Sequence, residues 1–199
     1  MINIIKLEEK TIDHRLVSYP EQDPFEVKVQ SFEEDEEIQL TNYRYKAQNS
    51  DTPKAVLMIF HGYGSYTGKY AYYAKYFAEE GYDVVGFDFR GFGRTKGQRG
   101  HISSWEDHIK DCWTYYDIVR EQYDNSIPFI GVGYSLGGGT VFSMVMDRPE
   151  AFKGIIQLVP FAGYAWGKYH WRHFEAEATY KFYPRIEISP GFDTSNPPR

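Results

Sequence analysis

A chain of 199 residues and 23.3 kDa, with 42% hydrophobic and 18% aromatic residues, is long enough to bury one sizeable core, which excludes bulk disorder and sets the expectation of one domain. Its net charge of −6 and sequence pI near 5.5, without a long basic run, argue against a protein that tracks a nucleic-acid backbone. No segment approaches the roughly 18 apolar residues of a membrane-spanning helix, and Met1 to Lys10 lacks the apolar core of a secretory signal.

In chain order, residues 1–53 are polar and acidic, with Glu33 to Glu37 forming a charged run between two weakly alternating stretches, Phe25 to Phe32 and Ile38 to Tyr45. They read as an antiparallel hairpin or meander at a sheet edge, the acidic run being a solvated turn. Asn49 to Pro53 is a loop by composition. Ala55 to Phe60 is an apolar run of strand length, His61-Gly62-Tyr63-Gly64 follows it, and Lys69 to Glu80 has helical spacing stopped by Gly81. Asp83 to Phe89 is the next strand and Arg90 to His101 a glycine-punctuated loop.

Ser104, with Asp107 three residues on, is placed to cap a helix whose Trp105, Ile109, Cys112, Trp113, Tyr116 and Val119 form one apolar stripe. Cys112 is the only cysteine, so no internal disulfide and no thiolate metal site are expected, consistent with the cytoplasm. Phe129 to Tyr134 is a third strand, Leu136 to Met146 its helix, and Gly154 to Val159 a fourth strand. This alternation predicts an α/β fold with a mostly parallel, doubly wound sheet over a core at 54–161. Ligands on such sheets bind at the carboxyl ends of the strands, where His61 to Gly64, Asp88 to Gly93 and Ser135 all fall.

Gly133-Tyr134-Ser135-Leu136-Gly137 has the G-x-S-x-G pattern and follows a strand into a helix, the setting of a nucleophile elbow. The turn lifts the serine Oγ clear of the sheet, and Gly133 and Gly137 leave room for the crowded backbone. Attack on an acyl carbon creates an oxyanion that backbone N–H groups stabilise. Leu136 is one candidate donor, and Tyr63 is the other, with Gly62 and Gly64 shaping its loop. His61 reads as a brace of that loop, on the wrong side of the pocket to serve as base. His101 and His108 read as a loop and a helix-surface residue, and Asp88 and Asp111 as structural residues.

Taken together, Pro53 to Val56 leading into His61-Gly62-Tyr63-Gly64, then Gly86 to Gly93 with Gly97, Trp105 to Asp111, and Tyr134 to Gly138 resemble the monoacylglycerol lipase and lysophospholipase group of α/β-hydrolases, from about Tyr43 to Ala165. The resemblance implies the α/β-hydrolase fold with a lid inserted after the sixth strand, and cleavage of lipid carboxylic esters without a cofactor. It implies Ser135 as nucleophile, Tyr63 and Leu136 as the oxyanion hole, and a lid starting in 162–199. Phe92 and Tyr134 stand where the group usually has His, and Thr95 where it has Ser, which bears on substrate preference.

Nothing in this chain matches the group's acid and base, whose strands would follow residue 199; the expectation is a C-terminally truncated hydrolase, with His170 and His173 in lid-like sequence. The alternative is a catalytically inactive scaffold or subunit whose open sheet edge packs on a protein partner. Acyl transfer to an alcohol would use the same acyl-enzyme. The aromatic segment 164–184 is the expected place of any peripheral membrane contact, and 189–199 reads as a tail.

Overall fold

The computed structural model describes residues 24–30 and 37–160. Among these residues five strands form one sheet: β3 (Asn42–Tyr45), β4 (Val56–Phe60), β5 (Asp83–Phe87), β6 (Phe129–Tyr134) and β7 (Gly154–Leu158), in the order β3-β5-β4-β6-β7. All neighbours run parallel except β3, which lies antiparallel to β5 at one edge. Two short strands, β1 (Lys28–Gln30) and β2 (Glu37–Gln39), pair antiparallel as a separate two-stranded sheet.

The meander is therefore divided rather than continuous. Ile38 to Tyr45 breaks at Leu40 and Thr41 because the Asn42 side chain replaces a strand partner, donating from Nδ2 to the Phe25 and Leu40 carbonyls and accepting the Phe25 N–H at Oδ1. β1 and β2 still contribute Val29 and Ile38 to the main core.

β4 is apolar throughout because helices cover both its faces. Val56, Met58 and Phe60 pack with Cys112 and Tyr115 of α2 (Trp105–Arg120) and Val141 and Met144 of α3 (Leu136–Asp147). Leu57 and Ile59 face Ala71, Ala74 and Ala78 of α1 (Ala71–Glu79). A single turn of 3-10 helix, Thr67–Tyr70, precedes α1, so the helix expected from Lys69 opens with tighter winding. Gly81, at φ 87°, ends α1: its N–H bonds the Ala78 carbonyl and the Tyr82 N–H the Phe77 carbonyl, the paired bonds of a Schellman cap.

At the start of α2 the Ser104 Oγ accepts the Asp107 N–H at 3.0 Å. The Asp107 carboxylate accepts from Ser103 Oγ, so half of the reciprocal capping box forms. Ser104→Ala is expected to lower stability by about 1 kcal/mol, read as a shift of the urea midpoint at constant slope; an unchanged midpoint would deny the cap its role.

Among the described residues β7 pairs only with β6. Ile156, Leu158 and Val159 are exposed there, while α3 packs on the opposite face.

Candidate active site

Ser135 joins β6 to α3 at φ 51°, ψ −114°, in the left-handed half of backbone space. Such a conformation costs a non-glycine residue roughly 1–3 kcal/mol and survives where its surroundings enforce it. Here the Ser135 N–H donates to the Leu158 carbonyl of β7 at 3.0 Å, and the Ser135 carbonyl accepts the Gly138 N–H at 2.9 Å. The two flanking glycines are sterically required. A Cβ on Gly133 would lie 2.4 Å from the Gly137 oxygen, and one on Gly137 would lie 1.9 Å from the Phe60 oxygen.

β4 and β6 are parallel neighbours with Phe60 opposite Gly133, so the chain leaves both at the same end of the sheet. The loop after β4 consequently lies against the elbow: a Cβ on Gly62 would sit 3.1 Å from the Tyr134 ring and 3.4 Å from Ser135 Cβ. Residues 62–65 form a turn closed by the Ser65 N–H on the Gly62 carbonyl, with Gly64 at φ 67° in its third position. That closure leaves the Tyr63 N–H outside the turn's own bond. Leu136, first residue of α3, has no residue four back within the helix to accept its N–H. Among the described residues neither N–H enters a hydrogen bond.

His61 is fully buried, with both ring nitrogens occupied. Nε2 accepts the Phe89 N–H at 3.0 Å, which leaves the proton on Nδ1 to donate to the Gly62 carbonyl at 2.8 Å. Burial lowers its pKa to about 4, more than the Gly62 bond raises it, so the ring is neutral at pH 7. It ties the loop after β4 to the end of β5.

The third loop is organised by Asp88, also fully buried. Its Oδ1 accepts the Thr67 N–H at 2.8 Å, and Oδ2 accepts the Arg94 N–H at 2.9 Å and the Tyr43 hydroxyl at 3.2 Å. Burial and then the nearby carboxylate push the Tyr43 phenol well up. The Tyr63 hydroxyl donates to the Gly100 carbonyl at 2.7 Å, and its ring packs on Phe92. The three loops thus meet at one end of the sheet. Asp111 is buried against Arg90, a structural ion pair with bonds of 2.8 and 2.9 Å.

His108 differs from its sequence reading as a surface residue: it is buried between α2 and α3. The Thr140 hydroxyl donates to the Leu136 carbonyl at 3.0 Å and accepts from His108 Nε2 at 2.9 Å. This pair anchors the first turn of α3, which carries the elbow, and burial lowers the His108 pKa to about 3. The signal was present, since His108, Cys112, Tyr115 and Val119 recur at helical spacing on the buried side. Trp105, counted in that stripe, is instead partly exposed and donates through Nε1 to Ser143.

His101 is exposed on the third loop, and none of the described histidines hydrogen-bonds Ser135. His170, His173 and the expected lid lie outside the described residues. No group of three His, Cys, Asp or Glu side chains suited to a metal ion occurs among the described residues.

The geometry is that of a strand-elbow-helix serine facing a turn whose Tyr63 N–H has no partner among the described residues. Residues 51–198 match the model of the Hydrolase_4 family, described as serine aminopeptidase, S33. The chain belongs to this family. The chain is 31% identical over 113 residues to a monoacylglycerol lipase of Mycolicibacterium smegmatis, covering 56% of this chain and 40% of the relative. It is 34% identical over 115 residues to phospholipase YtpA of Bacillus subtilis, covering 57% and 43%. A soluble variant of the Saccharomyces cerevisiae monoglyceride lipase superposes on it with a TM-score of 0.59 at 22% identity, covering 89% of this chain and 60% of that one. The fold is that of an α/β-hydrolase, as the motifs implied. The chain spans about two-fifths of the length of these curated relatives.

Proposed function

We propose that this protein cleaves carboxylic esters of lipid type, monoacylglycerol or lysophospholipid, through an acyl-enzyme on Ser135. The observation that carries the reading is the strained Ser135 elbow beside two backbone N–H groups, of Tyr63 and Leu136, that make no hydrogen bond among the described residues. Ser135 Oγ attacks the ester carbonyl carbon and loses its proton to a general base. The carbonyl oxygen becomes an oxyanion between the two N–H groups, each worth about 3 to 4 kcal/mol to the transition state. The alcohol leaves with a proton, and water then releases the acid and restores Ser135.

The base is taken to come from outside the described residues: His61 and His108 bond elsewhere and burial makes their rings weak bases, and His101, exposed on the third loop, makes no hydrogen bond to Ser135. This requirement is large: a serine hydrolase without its base loses on the order of 10⁶ in kcat, roughly 8 kcal/mol of barrier. Tyr134, exposed beside Ser135, places a phenol where the resemblance implies an imidazole, so substrate preference is expected to shift toward apolar groups beside the ester, whereas Phe92 is buried against Tyr63 and His61.

A second reading is supported by the exposed Ile156, Leu158 and Val159 at the β7 edge: an inactive module completed by another protein chain. Labelling with a fluorophosphonate separates the two. Phosphonylation at Ser135, abolished by Ser135→Ala, is expected of the esterase. A folded chain that leaves the probe untouched would refute that activity for this chain and favour the module. Turnover of a monoacylglycerol, a lysophospholipid and an aminoacyl anilide by a labelling-competent chain would then assign the acyl class.

A further inference from the structure

We infer that the loop after β5, together with the 3-10 turn before α1, forms a docking surface for an anionic lipid bilayer. This goes beyond the esterase reading, since it concerns adsorption and holds whether or not Ser135 turns over.

Between Phe89 and Trp105 the chain has Arg90, Arg94, Lys96 and Arg99 and no acidic residue, in a protein whose net charge is −6. Arg90 is bound to Asp111. Arg94, Lys96 and Arg99 are exposed. The backbone holds them there: the Arg94 N–H is fixed on buried Asp88, and the Arg99 guanidinium bonds the Gly93 and Thr95 carbonyls, bringing its charge onto the same loop. Thus the loop is a built feature with its cations outward.

The neighbouring element adds a fourth cation and two phenols. A Cβ on Gly93 would lie 2.8 Å from Tyr66 Cβ, so the 3-10 turn abuts the loop, and Lys69 Nζ stands 5.6 Å over the Tyr66 ring. Tyr63 is 65% exposed and Tyr66 41% exposed, and Tyr63 is tied to the loop through Gly100. Phenols with an apolar body and a polar tip suit the headgroup layer of a bilayer. Clustered cations are attracted to anionic headgroups, each adding about fivefold in affinity. The acidic side chains nearest in sequence are Asp88, which is buried, and Glu106 and Asp107, which open α2. Since the rest of the molecule is net acidic, an anionic surface repels it in most orientations. It attracts this one, and the docked face is the one where the three loops meet Ser135.

The test is cosedimentation of the full chain with vesicles of phosphatidylcholine alone or containing about one-third phosphatidylglycerol. Binding is expected to the anionic vesicles, to weaken on raising salt from about 0.1 to about 0.5 M, and to fall about thirtyfold in the double variant Arg94→Gln, Lys96→Gln. Neither of those side chains makes a hydrogen bond or ion pair among the described residues, so the fold should persist, as checked by circular dichroism. Lys153→Gln, one residue before β7 and thus at the opposite end of the sheet, should bind as the unaltered chain does. Equal binding to both vesicle types, no binding to either, or unchanged binding by the double variant would overturn the inference. So would displacement of the vesicles by an equal charge of single-stranded oligonucleotide, which would reassign the loop to nucleic acid.

Discussion

Gly137→Ala is expected to unfold the protein or cost it about 3 kcal/mol or more. An added methyl would stand 1.9 Å from the Phe60 oxygen, 2.4 Å from the Phe60 carbonyl carbon and 2.8 Å from the His61 oxygen. All three are backbone atoms, so no side chain can swing aside to relieve the contact. Either α3 must lift from the sheet or the β4–β6 ladder must part, and both carry the elbow and the turn that faces it. Overpacking of a core usually costs about 1–3 kcal/mol, and a backbone collision this close belongs at or above the top of that range, against a total stability of about 5–15 kcal/mol. Urea unfolding gives the measure, with Gly154→Ala as comparison: its new Cβ would meet only the Ile130 Cδ1, at 3.7 Å, an ordinary contact. A Gly137→Ala protein within about 1 kcal/mol of the parent would show that the elbow is looser than its packing implies.

Acidification from pH 7 to pH 5 should remove about 4 kcal/mol of stability, half through each buried histidine. In the unfolded chain both titrate near 6.5; in the fold burial lowers His61 to about 4 and His108 to about 3. Above pH 6.5 both rings are neutral in either state and the proton adds nothing. As pH falls below 6.5 the unfolded chain binds two protons that the fold refuses, so the unfolded state gains. The loss continues until pH reaches each folded pKa and then levels. At pH 5 each ring contributes about 2 kcal/mol, since one pKa unit is about 1.36 kcal/mol. Asp111 acts oppositely: burial raises its pKa, so it favours the fold as carboxylates protonate at lower pH. Urea midpoints at pH 7 and pH 5 test this, with His108→Gln expected to lose half of the pH dependence. Equal stability at both pH values would mean that the imidazoles are hydrated.

The parallel core was legible because its signals are local. An unbroken apolar run marked β4, Gly81 marked the end of α1, and the glycines around Ser135 marked a turn that few other residues permit. The tertiary bonds were not legible. Asp88 contacts Tyr43, Thr67 and Arg94, partners 45, 21 and 6 residues away, and no periodicity links them. His108 looked like a surface residue because imidazole is polar, yet its partner Thr140 lies 32 residues on, and only the fold pairs them. Asn42 broke a strand that its neighbours favoured because its amide found two carbonyls and an N–H. The candidate nucleophile and its facing turn were readable, while the network that holds them at their separation was visible only in three dimensions.

The bond from the Ser135 amide to the Leu158 carbonyl orders events in time. During synthesis the elbow sequence leaves the ribosome with its strand and helix, but the acceptor for its amide is 23 residues behind, counting from Ser135 to Leu158. A nascent chain that stops within α3 has every residue of the motif and lacks the strand that fixes its angle. The chain becomes able to hold its serine in the poised conformation only once β7 has been made and has docked, so a late element of the sheet governs an early one.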